Sequence, residues 1–362
     1  MADFAEALER RNEKLIRGIV SRAEAVCPGS LALIGIYGSC LTGRIHPGSD
    51  LDLLILINDE GGRRLGAAFV QDDLEIGHDL YCTTWADLER MAEYPDPNIS
   101  KLTDSRIVYR SGPEPEERLM RLRRRAEEIL SAPFGAADLE KAEGMLREAL
   151  YCRAMAETAE TSGDVRRWAG STLYCIENAI ALLNKRVFHL GTKDCMEELA
   201  AMPRRPMDLP GLIEEVVSAE APEAVPDRLA RLTRAVTRSF REVRRTLEAE
   251  RKPVTAEDLR GTWEEMVSNW RGKVRLAART GDRHLALMSL ESFDAMLADV
   301  AGGALKGKYD ALGIYDPADL AATAARFDKL LEDYLTEYRR AGLEPVRYGD
   351  IDAFLRRYLD EE

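Results

Sequence analysis

Apolar and polar positions follow two different rhythms in this chain, and the change falls near Pro115. Before it, "LALIGIY" (31–37) and "LDLLILI" (51–57) are short, uninterrupted apolar runs, the pattern of strands covered on both faces. "LEIGHDLYC" (74–82) predicts a third strand, "WADLERMAEY" a helix, and "RIVYRSG" (106–112) a last short strand closed by Gly-Pro. Ahead of them, Phe4, Leu8, Leu15 and Ile19 lie among charges from Asp3 to Ala25, an amphipathic helix that Pro28-Gly29 ends. Beyond Pro115, leucine and alanine recur at helical spacing. Helices are predicted over 136–161, Ser171 to Phe188, 212–219 and 226–250, then near 256–279, 283–300, 317–341 and 349–359. The Pro-rich "MPRRPMDLPG" (202–211) and "GGALKGKYD" (302–310) read as connectors. The fold class is α+β: a small mixed-sheet domain over 1–115, a helical bundle over 116–254 and a second helical domain over 255–362.

The chain has 362 residues, enough for two or three domains of roughly 100 to 200 residues each. With 45% hydrophobic and 32% charged residues it has a globular composition. No apolar stretch approaches the roughly 20 residues a membrane helix needs, and "MADFAEALERRNEKL" lacks a signal peptide's apolar segment. The expectation is a cytoplasmic protein with no membrane partner. Cys27, Cys40, Cys82, Cys152, Cys175 and Cys195 form no Cys-x-x-Cys pair, which argues against a zinc site or a disulfide framework. A net charge of −13 argues against a broad nucleic-acid footprint and suits a cationic partner.

The chemistry concentrates between residues 37 and 80. Asp50 and Asp52 stand two apart at the start of an apolar run, so a strand there presents both carboxylates on one side. A divalent cation relieves their repulsion, and magnesium takes one or two carboxylates together with substrate phosphates. Asp79, in "IGHDLYC", is the third carboxylate that would complete a two-metal platform. Gly38-Ser39 at a strand end allows close backbone approach, and the serine hydroxyl can hold the terminal phosphates of a nucleotide. His46 and His78 have no second ligand at metal spacing.

Gly38-Ser39, Gly43 and Ser49-Asp50-Leu51-Asp52, set between two apolar strands, resemble the nucleotidyltransferase superfamily that includes DNA polymerase beta and the aminoglycoside nucleotidyltransferases. The resemblance covers residues 30–112; the helical remainder is similar in layout to the acceptor-binding half of the aminoglycoside enzymes. Many members carry an arginine just before the second glycine, where this chain has Thr42, with Arg44 after Gly43. The resemblance implies transfer of a nucleoside monophosphate, AMP from ATP first, to a hydroxyl of a small acceptor, such as the aminoglycosides inactivated in antibiotic resistance. Two Mg2+ ions would be held by Asp50, Asp52 and Asp79, and Gly38, Ser39, Ser49 and Arg44 would contact the nucleotide. The general base is Glu148 or Glu177. A homodimer with shared clefts is compatible with the same resemblance. Protein nucleotidylation and a catalytically silent nucleotide-binding module are the alternatives.

Overall fold

Leu31–Ile36 and Leu53–Ile57 form strands β1 and β2, and every residue of both is buried. Strands shielded on both faces have no polar side to present, which is why neither run alternates. The architecture comes from a computed structural model, which describes residues 2–360 apart from 45–47, 74, 192–193, 250–253, 301–304 and 306–307. Helix α1 (Ala2–Val26) precedes β1, and the short α2 (Ser39–Thr42) separates β1 from β2. The hairpin of β3 (Ala67–Gln71) and β4 (Ile76–Leu80) follows, then β5 (Cys82–Thr84), α3 (Trp85–Ala92), α4 (Ser100–Thr103) and β6 (Arg106–Arg110). β6 is the last strand among the described residues.

The main sheet runs β5-β2-β1-β6. β1 is antiparallel to both neighbours, and β2 is parallel to β5 with Ile55 opposite Cys82. A register shift between Leu31 and Leu33 sets which side chains share a face. Leu31, Ile34 and Ile36 join Leu53, Ile55 and Ile57 against Ile19 and Ala23 of α1. Ala32, Leu33, Leu54 and Leu56 belong instead to the core that holds Trp85, Leu88 and Leu119.

Three features depart from the sequence reading. The stretch 74–82 divides: Ile76–Leu80 pairs with β3 in a separate two-stranded sheet, while Cys82–Thr84 joins the main one. β3, which the sequence reading did not include, is a short apolar run, Ala67 to Val70, with four of its five residues exposed. β2 begins at Leu53, so Asp50 and Asp52 lie on the approach to the strand; the bond from Tyr37 N–H to the Asp52 carbonyl, 3.1 Å, extends the pairing by one residue.

The helices α5 (Pro113–Ser131), α6 (Ala136–Glu157), α7 (Ser162–Leu183), α8 (Cys195–Ala201), α9 (Leu209–Val217) and α10 (Val225–Ala249) complete the first part. α7 starts well ahead of Ser171 because the Thr161 hydroxyl caps it, accepting from the Asp164 N–H at 3.1 Å. On α6, Ala142, Ala149 and Ala156 recur every seventh residue and are buried with Leu139 and Leu146. Small side chains in that row let the partner helix approach closely. One core runs from Ala32 to Phe240, and residues 1–247 form one compact unit.

Residues 248–362 form a second unit. It comprises α11 (Ala256–Leu259), α12 (Thr262–Met266), α13 (Gly272–Thr280), α14 (Arg283–Asp299), α15 (Leu320–Arg340) and α16 (Ile351–Asp360). The single helix expected near 256–279 is broken by Gly261 at φ 82° and by a π-helical turn at Val267–Arg271. Its core is aromatic: Phe293 packs edge-on against Trp270 at 5.9 Å and Phe327 at 5.0 Å between ring centres. Most of the connector expected at 302–310 lies outside the described residues. All six cysteines are free thiols, and among the described residues no helix is long and apolar enough to cross a membrane.

Candidate functional site

The end of β1 and the approach to β2 meet at Gly38. Its backbone sits at φ 71° and ψ −148°, and a Cβ there would fall 2.0 Å from Asp52 Oδ2. Only glycine allows the chain to pass this close to the carboxylate. The Leu41 N–H then donates to the Gly38 carbonyl at 3.0 Å, opening α2 at Ser39, and Gly43 closes it in the left-handed conformation.

Asp50 is exposed and Asp52 half-buried, with the buried Leu51 between them. Burial first, then the charges of Asp52 and Asp50, push the Tyr37 hydroxyl well above its ordinary pKa. The Cys40 thiol is pushed up by burial and then Asp52, with a smaller contribution from Asp50. Both carboxylates therefore act electrostatically on the same two neighbours. α1 supplies the opposite charge: Arg11 Nη1 donates to the Ser49 carbonyl at 3.2 Å, and its guanidinium feels Asp50. Ser49 is buried, which fixes this stretch of the loop.

Lys101 is the other cation, and no motif in the sequence marks it. Its ammonium lies 5.1 Å from the centre of the Tyr81 ring and 5.5 Å from that of Tyr37, and 3.4 Å from Thr83 Oγ1. Burial lowers its pKa, and Asp87, Asp52 and Asp79 pull it back up. Asp79 thus acts on the same ammonium as Asp52. It does so from β4, opposite Ala68 of the hairpin, and not from the strand beside β2. The chain changes sheets at Tyr81, so the neighbour of β2 is β5.

The remaining candidates are spread out. Arg44 pairs with Asp194 and Glu197, each at 2.8 Å, so its charge is already spent at the start of α8. His46 lies outside the described residues; His78 is buried, its Nε2 3.1 Å from Gln71 Oε1 and its ring stacked on Phe69. Glu148 is exposed on α6, near Cys152 at 4.0 Å. Glu177 is half-buried, and burial raises its pKa. It lines a cavity of about 130 Å³ with Asn98, Ser100, Tyr174 and Asn178. Ser100, in that lining, is the residue before Lys101 on α4.

Among the described residues, no three acidic, histidine or cysteine side chains come together as a metal cluster, so the expected three-carboxylate platform is not assembled. What remains at this point is Asp50 and Asp52 beside a glycine turn, two carboxylates of the kind magnesium takes together with phosphate oxygens.

Residues 14–109 match the family model of the nucleotidyltransferase domain. The matched segment contains Gly38, Ser39, Asp50, Asp52, Asp79 and Lys101, and the N-terminal part of the chain accordingly has a nucleotidyltransferase-like fold. No curated protein matches the chain. Among solved structures, a nucleotidyltransferase-like protein from Exiguobacterium sibiricum is 14% identical, covering 74% of this chain and 91% of that one with a TM-score of 0.36. None of these matches singles out the aminoglycoside-modifying branch of the nucleotidyltransferases.

Proposed function

We propose that the N-terminal nucleotidyltransferase-like part transfers a nucleoside monophosphate, with ATP the first-choice donor, to a hydroxyl of a small-molecule acceptor. The observation that carries this reading is the Gly38 turn laid against Asp52, with Asp50 beside it, inside the matched segment. The acceptor oxygen forms a bond to the α-phosphorus, the bond from that phosphorus to the bridging oxygen breaks, and pyrophosphate leaves with the electron pair. The hydroxyl proton goes to a carboxylate. Glu177 is the better placed of the two candidates, since burial raises its proton affinity and it lines a cavity beside α4, whereas Glu148 is exposed. Magnesium held by Asp50 and Asp52 would neutralise charge on the triphosphate. Lys101, set over the Tyr37 and Tyr81 rings and within the field of Asp52 and Asp79, is a positive group that would favour a phosphate oxygen. A net charge of −13 supports a cationic acceptor, such as an aminoglycoside-like amine.

The test is label transfer from a panel of triphosphates, with magnesium, to a panel of hydroxyl acceptors. Transfer by the wild type and its loss in Asp52→Asn supports the reading; equal transfer by both overturns the assignment of Asp52. Label on a protein band would select nucleotidylation of a protein hydroxyl. A second reading is nucleotide binding without turnover. It is favoured by Lys101, whose ammonium already sets one positive charge within the field of Asp52. Calorimetric ATP binding with no transfer to any acceptor would select it.

A further inference from the structure

A second concentration of charge, of opposite sign, lies within residues 1–247 and is not used by the proposed transfer. A cavity of about 550 Å³ is lined by Arg123 and Arg124 of α5 and by Lys185, Arg186 and His189, which follow α7. Glu127 is the one carboxylate among its described lining residues. This volume falls in the usual range for a small-molecule site, about 300 to 1,000 Å³.

Three of the basic groups are held from behind by the framework. Arg123 donates from Nε to the Leu102 carbonyl at 2.8 Å and from Nη2 to Ser105 Oγ at 3.0 Å. Lys185 donates to the Ala132 carbonyl at 2.9 Å and lies 3.5 Å from Asp138. His189 Nδ1 is 2.7 Å from Asp104 Oδ2. Asp104 holds the imidazole's pKa up, while burial and the charge of Arg186 work against it.

Arg124 and Arg186 differ. Among the described residues neither guanidinium has a hydrogen-bond or ion-pair partner, yet the Arg186 backbone is fixed. Its N–H donates to the Ala181 carbonyl at 3.0 Å, and its carbonyl accepts from the Tyr94 hydroxyl at 2.7 Å. The turn that presents it places Lys185 at φ 50°, a position glycine usually fills. Cations at the end of a helix also complement its dipole, which gives Lys185 and Arg186 an ordinary reason to be there. That reason does not reach Arg124, which lies within α5, or explain why Arg186 and His189 are held near one another in a chain of net charge −13.

We propose that this cavity binds a phosphorylated small molecule, with its phosphate monoester gripped by Arg124 and Arg186 next to His189. Guanidinium groups pair with phosphate through two parallel N–H donors, and two of them facing one cavity offset the dianion's charge.

The probe is AMP, titrated into the full-length chain by calorimetry in the presence of a chelator, so that no divalent ion recruits phosphate to Asp50 and Asp52. Saturable binding is expected, weakened at least about tenfold by Arg124→Glu with Arg186→Glu and unchanged by Asp52→Asn. Arg124→Gln alone, with the melting profile checked for every variant, keeps the test interpretable should the double variant unfold. Inorganic phosphate should compete with AMP, and adenosine should not bind. Absence of saturable AMP binding up to about 10 mM, binding unaffected by the arginine variants, or adenosine binding as well as AMP would overturn the proposal. Loss of AMP binding in Asp52→Asn alone would place the nucleotide in the acidic centre and overturn it too.

Discussion

A side chain at residue 38 has nowhere to go, since its first carbon would lie 2.0 Å from Asp52 Oδ2 on a backbone of φ 71° and ψ −148°. Gly38→Ala is therefore expected to cost about 1 to 3 kcal/mol of stability, read from urea denaturation, by forcing the turn away from the carboxylate. Lys101 gives a prediction of opposite sign. With the neighbouring ammonium gone, Lys101→Met should bind Mn2+ more tightly, by about tenfold, which corresponds to roughly 1.4 kcal/mol of removed repulsion. Lys101→Arg should keep the wild-type affinity; equal affinities in all three proteins would remove Lys101 from the site. For Glu177, burial raises the folded-state pKa, so the native chain holds its proton to higher pH than the unfolded chain does. Stability then falls as pH rises from the ordinary glutamate range through the raised value. Against that background Glu177→Gln should become progressively more stable than the wild type over this interval, measured by melting at a series of pH values. If Glu177 is the base, transfer should fail on the acidic side of its raised pKa.

At the level of elements, legibility followed burial. β1 and β2 stood out in the sequence because each is apolar throughout, and each is buried throughout. β3 did not: its short apolar run, Ala67 to Val70, lies exposed in a hairpin, and a run that brief does not by itself announce a strand. The division of 74–82 was hidden for a related reason: Ile76, Leu80 and Cys82 are all buried, and apolar pattern does not tell which sheet a strand joins. The alanine row on α6 is a packing device that helical spacing alone reveals only in part. Ala149 is fully buried where α6 meets α7, so Ala149→Leu should overpack the contact and lower stability by about 1 to 3 kcal/mol, seen as a reduced denaturant midpoint.

For the whole molecule, the division into residues 1–247 and 248–362 has a direct consequence. The second unit has its own aromatic core, with Phe293, Phe327 and Tyr334 buried. Residues 248–362 produced alone should give one cooperative thermal transition, and residues 1–247 alone should keep whatever nucleotide binding the full chain shows. Non-cooperative melting of the shorter piece would mean that its core is incomplete. The sheet and the helices up to α10 share one continuous core, so a cut near residue 115 should leave both halves with exposed apolar surface.

The amino-acid sequence by itself determined the kind of structure: two fully apolar strands, a glycine turn, a pair of aspartates two residues apart, and a helical remainder. These are local properties, set by side-chain period and by the conformations that Gly38 and its neighbours can adopt. What only the tertiary structure decided was which distant charges meet. Lys101 over the Tyr37 and Tyr81 rings, Asp79 on a hairpin outside the main sheet, Arg44 drawn to Asp194 and Glu197, and Glu177 lining a cavity all follow from long-range packing. Coulombic interaction and desolvation depend on separation in space, and spacing along the chain does not encode that separation.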